Sequence, residues 1–155
     1  MASPATAARF SEKLGKTASL NLAPTRNLRA LVVSSEFEVR KPLLYSLESL
    51  HVDTIVCAGR TEAEDVLAKE SVDIVFCDDH LPDGSYSDLV HPSHYEGKIP
   101  RVVVTTRTGD WDLYFDALGK GAFDVIQCPC YARDVEMAVG RVLREEDSQS
   151  LMASS

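Results

Sequence analysis

Five short apolar runs, each followed by a helical pattern, constrain this chain more than any other feature. The runs are Arg29–Val33, Val52–Cys57, Val72–Cys77, Arg101–Thr105 and Phe123–Ile126. None alternates cleanly between apolar and polar residues, as expected of strands buried on both faces. After the first run, Ser35 and Glu38 have capping-box spacing, and Val39, Leu43, Leu47 and Leu50 share one helical face. Pro42 lies in this stretch and predicts a limited or bent first part. After the second run, Thr61 and Glu64 repeat the box ahead of Val66 and Leu67. The third connection is different. Ser85 to Val90 begins a helical pattern, His91-Pro92-Ser93-His94 interrupts it, and Gly97 and Pro100 lead into the next strand. A short helix or irregular loop is expected there. The fourth helix is predicted from Asp110 to Gly119 with Gly121 beyond its end, and the fifth from about Arg133 to Arg144.

Five βα units in succession make an α/β fold, a doubly wound five-stranded parallel sheet. The flavodoxin-like strand order 2-1-3-4-5 is the natural choice at this size. In that order the carboxyl ends of strands one, three, four and five converge on Ser34, Asp78, Thr105 and Cys128. Open α/β folds build their sites at this edge. Asp78 is the focus, because its apolar strand runs into Asp79-His80-Leu81-Pro82-Asp83-Gly84. A carboxylate at an exposed strand end is ionised at neutral pH.

The chain has 155 residues, enough for one core and too few for two. Residues 28–145 are read as that domain, between a flexible basic tail at 1–27 and a frayed tail at 146–155. The leading tail holds Arg9, Lys13, Lys16 and Arg26 against Glu12 alone, with a short helix suggested at Ala5–Leu14. A transit peptide shares this composition, but a disordered tail is the simpler reading. The formal net charge of −8 argues against a nucleic-acid surface. No apolar run approaches the roughly 18 residues needed to span a membrane, and residues 1–27 lack a signal-peptide apolar region. Four cysteines in a chain of this length point to a reducing, cytoplasmic setting rather than a disulfide framework.

Three segments together resemble the receiver domain of response regulators: Asp78-Asp79-His80-Leu81-Pro82-Asp83-Gly84-Ser85, Pro100-Arg101-Val102-Val103-Val104-Thr105, and Gly121-Ala122-Phe123-Asp124-Val125-Ile126-Gln127-Cys128-Pro129. The resemblance covers about Leu28 to Arg144. It implies a CheY-like fold and a non-enzymatic signalling role in two-component phosphorelays, with a histidine kinase, a phosphotransfer protein or another regulator as partner. It implies Asp78 as phosphoacceptor and Thr105, with Thr106 beside it, as the phosphoryl-contacting positions. A Mg²⁺ ion would be held by an acid pair ending the first strand, by Asp78, and by the His80 main-chain carbonyl. The face of the fourth helix, fifth strand and fifth helix would carry partner contacts or a homodimer, with Tyr114, Phe115, Tyr131 and Met137 on it.

The chain departs from that family where charge is needed. Ser34 and Ser35 occupy the acid-pair positions, Cys128 the lysine position, Thr106 the small-residue position and Val125 that of an aromatic switch. Neutral hydroxyls do not offset a divalent ion, so weak or absent Mg²⁺ binding and impaired phosphorylation are expected. Glu36, Asp79 and Arg107 are nearby in sequence as substitutes for the missing charges. The reading is therefore a stand-alone, atypical receiver. The alternatives are a phosphorylation-independent interaction adaptor and a flavin or thiol redox protein. Against flavin, Ser34-Ser35-Glu36-Phe37 has no glycine and carries an acid where a phosphate would sit.

Remaining candidates have plainer readings. Cys128-Pro129-Cys130 is not the Cys-x-x-Cys redox spacing, and ordinary packing is expected of all four cysteines. His91 and His94 have metal-like spacing, but Pro92 separates them and a solvated loop is expected. The side chains of His80 and Trp111 are read as exposed and as packing at a helix start, respectively.

Overall fold

The computed structural model describes residues 8–9, 28–90 and 99–154. Five parallel strands form the sheet: β1 (Arg29–Val33), β2 (Asp53–Cys57), β3 (Ile74–Asp78), β4 (Arg101–Thr106) and β5 (Asp124–Gln127). Their order is β2-β1-β3-β4-β5, with Ala8–Arg9 added antiparallel on the outer side of β2. Four α-helices are described: α1 (Phe37–Ser49), α2 (Arg60–Lys69), α3 (Trp111–Lys120) and α4 (Ala132–Ser154). The parallel sheet and its order agree with the sequence reading, and the sheet gains one short antiparallel edge. Ala8–Arg9 is extended, not helical as suggested for 5–14, because its main chain pairs with Val56 and Ile55.

Two apolar layers explain why the strands lack clean alternation. On one face Ala30, Val32, Ile74, Phe76, Val103 and Ile126 pack beneath α1 and α4. On the other Leu31, Val33, Val75, Cys77, Val102 and Val104 pack beneath α2 and α3. Neighbouring positions on one strand thus enter opposite layers, and both layers are apolar. In the third connection, Tyr86–Asp88 forms a 3-10 turn capped by Ser85. His91 and His94 lie outside the described residues.

The helix starts differ from the sequence expectation. The first residue of α1 follows Glu36, not Ser35, and no side chain caps it. Helix α1 runs unbroken through Pro42 because Val39, Leu43 and Leu47 anchor its inner face. Helix α2 begins after Gly59, again with no cap from its own first residues. Asp83 supplies the cap from a distance, accepting from the main-chain N–H of Arg60 at 2.6 Å and of Thr61 at 3.0 Å. Those two donors, Thr61 first, pull the Asp83 pKa down to about 2. A Cβ on Gly59 would lie 2.8 Å from Asp83 Oδ1, so glycine leaves room for this cap. A cap of this kind contributes about 1 kcal/mol.

The predicted helix ends hold at α3, where Asp110 caps the start and Gly121 ends it at φ 113° in the left-handed region. Helix α4, by contrast, does not stop near Arg144 but continues to Ser154, where a frayed tail was expected. No proline or glycine interrupts residues 145–154, so nothing local ends the helix.

Candidate functional site

The parallel register brings the strand ends together. Val33 pairs with Cys77, placing Ser34 beside Asp78, and Asp78 pairs with Thr105. Ser34 Oγ donates to Asp78 Oδ2 at 2.7 Å and Thr105 Oγ1 donates to Asp78 Oδ1 at 2.7 Å. Both carboxylate oxygens therefore already hold a hydroxyl. Asp78 is only 7 % exposed, which corrects the expectation of an exposed strand end. The β1 and β4 ends flank it.

Its surroundings set the charge balance. Burial pushes the Asp78 pKa up, and the charges of Glu36 and Asp79 push the same way. The bonds from Thr105 and Ser34 oppose this without reversing it. An acid with a raised folded pKa is easier to ionise in the unfolded chain. It costs no stability below the unfolded value near ~3.9, and the cost grows with rising pH until the folded pKa is passed. Asp78→Asn keeps the shape and removes the charge, and both hydroxyls accept as well as donate. The variant should melt higher at neutral pH, by on the order of a few degrees. That gain should shrink and vanish as pH falls through the unfolded pKa. Thermal melts across the acidic range check this, and a gain independent of pH would contradict it.

The other expected residues divide sharply. Ser35 is exposed, away from the buried hydroxyl of Ser34, so the two acid-pair positions no longer act together. Thr106 is buried, but its hydroxyl donates to Asp79 Oδ2 at 3.1 Å rather than to Asp78. Cys128 is buried at the same edge, its N–H donating to the Thr106 carbonyl at 2.7 Å. His80 opens a two-residue ribbon, His80–Leu81 against Gly84–Ser85, and its side chain is exposed. Arg107 is turned to Glu36, with 2.7 Å between Nη2 and Oε1, joining the β4–α3 loop to the β1–α1 loop. Trp111 packs on the start of α3 as expected, stacked with Phe115 and edge-on to Tyr114, while staying 68 % exposed.

These donors do not suit Mg²⁺. The ion needs hard oxygens, commonly from one or two carboxylates. Of the ends of β1, β3 and β4 only Asp78 is a carboxylate, Ser34 and Thr105 being neutral hydroxyls, and Glu36 is paired with Arg107. Among the described residues no group of three or more His, Cys, Asp or Glu is arranged to hold a metal. Cys57 and Cys77 pack in the apolar layer as expected, and burial raises both thiols, Cys57 to about 12.

A buried aspartate ending the third strand, with a threonine ending the fourth, in a 2-1-3-4-5 parallel sheet, defines a receiver-type module. The response regulator protein PilR of Pseudomonas aeruginosa is 33 % identical over 116 residues, covering 75 % of this chain and 26 % of PilR. The alginate biosynthesis transcriptional regulatory protein AlgB of the same organism is 25 % identical over 115 residues, with 74 % and 26 % covered. The chain thus spans about a quarter of the length of these curated relatives. Among solved structures, the signal receiver domain of an HD domain-containing protein from Pseudomonas fluorescens matches with a TM-score of 0.71 at 24 % identity, covering 84 % of this chain and 98 % of that one. A CheY-like receiver domain protein from Methanospirillum hungatei matches with a TM-score of 0.70 at 19 % identity, covering 80 % and 99 %. No family model matches the chain. The chain belongs to the CheY-like receiver domains of two-component response regulators.

Sequence reasoning missed two features. The Asp83 cap and the Glu36–Arg107 pair each join separate loops and depend on side-chain direction. Only the Asp83-Gly84 turn signal hinted at the first.

Proposed function

We propose that this chain is an atypical receiver in cytoplasmic phosphorelay signalling, with Asp78 as an impaired phosphoacceptor. One observation carries the reading: the side chains bonded to Asp78 are two neutral hydroxyls, Ser34 and Thr105. Phosphoryl transfer depends on positioning and on neutralising charge. Here neutral Ser34 and Cys128 stand where the family places an acid and a lysine, so little offsets the charge of the transfer. The module would act by presenting its surface to a histidine kinase, a phosphotransfer protein or another regulator. Thr105, bonded to Asp78, is the residue that would touch a phosphoryl group on this reading, and its bond to Asp78 supports that; the Thr106 hydroxyl donates to Asp79 instead. The face of α3, β5 and α4 exposes Trp111, Phe115, Tyr131 and Met137, and is the surface assigned here to a partner or a second copy.

Incubation of the full chain with a small acyl phosphate and Mg²⁺, followed by intact-mass measurement, tests this. The expected result is a phosphoryl adduct on a minor fraction of molecules at most. An adduct on most molecules, lost in Asp78→Asn, would overturn the impairment. The adaptor reading is favoured by the exposed aromatic group on α3. It requires partner affinity to be the same for Asp78→Asn and the parent chain.

A further inference from the structure

The outer edge of β2 carries Ala8–Arg9 of the same chain, antiparallel, with Ala8 opposite Val56 and Arg9 opposite Ile55. Hydrogen bonds on the inner side show which groups this edge offers. Asp53 donates its N–H to the Leu28 carbonyl at 3.1 Å, and the Cys57 carbonyl accepts from the Ser34 N–H at 3.0 Å. Main-chain groups alternate sides along a strand, so those of Asp53, Ile55 and Cys57 face β1, while those of Thr54 and Val56 point outward. Ala8 and Val56 are therefore a hydrogen-bonded antiparallel pair that exchanges both main-chain bonds, and Arg9 and Ile55 are a non-hydrogen-bonded pair. The N–H of Ala8 points at β2, and that of Arg9 points away from it.

Strand β2 does little to discourage pairing by itself. Edge strands are usually blunted by lysine, proline or a bulge. Thr54-Ile55-Val56-Cys57 holds no charge and no proline, and its β-branched residues favour extended pairing. It pairs with β1 residue for residue from Asp53 to Cys57, so no bulge turns the edge away. The charge of Asp53 stands at the amino end and is held by Arg29 Nε at 3.1 Å. Protection of the edge comes instead from a separate segment, joined to β1 through residues 10–27.

We propose that the β2 edge is a docking site for the β2 edge of a second copy of this chain, held closed by Ala8–Arg9. Two copies related by a two-fold axis present the same edge to each other, antiparallel, as Ala8–Arg9 already runs. With the axis through Ile55, Thr54 of each copy stands opposite Val56 of the other, and these pairs exchange bonds through their outward groups. Ile55 then faces Ile55 of the second copy, an apolar pair where Arg9 stands in the closed chain. Both occupants need the same N–H and C=O of Val56, so each excludes the other. Strand β1 separates β2 from β3, so docking does not involve Asp78 and stands apart from the phosphorylation reading.

The test compares the full chain with Ala8→Pro and Arg9→Pro. Proline lacks the N–H and is tolerated on an edge strand only where that N–H faces solvent. Ala8→Pro should therefore release the segment, and Arg9→Pro should not. Both positions lie outside the two apolar layers, so the domain itself stays folded. In dilute solution, hydrogen exchange at the Val56 amide, read by NMR, should quicken on the order of tenfold in Ala8→Pro alone. At higher concentration Ala8→Pro should sediment one association step above the parent and Arg9→Pro, and excess free peptide of residues 5–12 should reverse that step. Unchanged exchange at Val56 in Ala8→Pro, equal effects of the two variants, a released edge that stays at the parent's association state, or association that the peptide does not reverse would each overturn the proposal.

Discussion

Ser34→Asp combined with Cys128→Lys should convert Asp78 into a Mg²⁺-dependent phosphoacceptor. The gain expected is on the order of a hundredfold in adduct formation from a small acyl phosphate, the usual scale for one well-placed electrostatic group. The geometry supports both substitutions. Ser34 Oγ is 2.7 Å from Asp78 Oδ2, so a carboxylate at that strand end comes close enough to share a cation with Asp78. It also removes one of the two hydroxyls that occupy the acceptor. Cys128 is fixed at the same edge by its N–H to Thr106, at the end of the strand beside β4, which pairs with the Asp78 strand. A cation there offsets the added negative charge, so the pair of substitutions is better tolerated than Ser34→Asp alone. A chelator should cancel the gain, and Asp78→Asn in the same background should abolish the adduct. If the folded double variant labels no faster than the parent, the loss of acid and lysine is not what limits this site.

Phe76→Ala should cost about 3–5 kcal/mol, and Phe76→Leu far less. Phe76 is in the middle of β3, the central strand, where it pairs with Val32 on β1 and Val103 on β4. It is 1 % exposed and is the largest fully buried side chain. Val39, Leu43 and Leu47 of α1 and Val135 and Val139 of α4 share its layer. Removing the ring leaves a cavity between the sheet and the two helices that share its layer. A domain of this size is only about 5–15 kcal/mol more stable than its unfolded state. The melting temperature should therefore fall by roughly 12–20 °C, with the Leu variant in between. Because β3 also carries Asp78, the Ala variant should lose site chemistry as it loses structure. A drop of only a few degrees would mean that the sheet and α1 collapse to close the gap.

Where sequence and structure agree, the cause is local. The five apolar runs became the five parallel strands within two residues at each end, because a strand buried on both faces needs an unbroken apolar run. Asp110 and Gly121 bounded α3 as read, since capping and the left-handed conformation are properties of those residues themselves. The failures are nonlocal. Ser35 and Thr61 had the spacing for caps, but α1 begins after Glu36 uncapped and α2 is capped by Asp83 from another loop. The end of α4 was misplaced because polarity was read as disorder in a segment with no helix breaker.

The site shows the same division. Sequence alone determined that Ser34, Asp78, Thr105 and Cys128 share one edge, because strand order and strand ends follow from period and length. It also determined that the charges expected around Asp78 are missing, since residue type is all that matter requires. Only the tertiary structure decided that Asp78 is buried and held on both oxygens, that Thr106 serves Asp79, and that Arg107 is taken by Glu36. Those outcomes depend on which way each side chain leaves its strand or loop, and that direction is set by packing against residues far away in the chain.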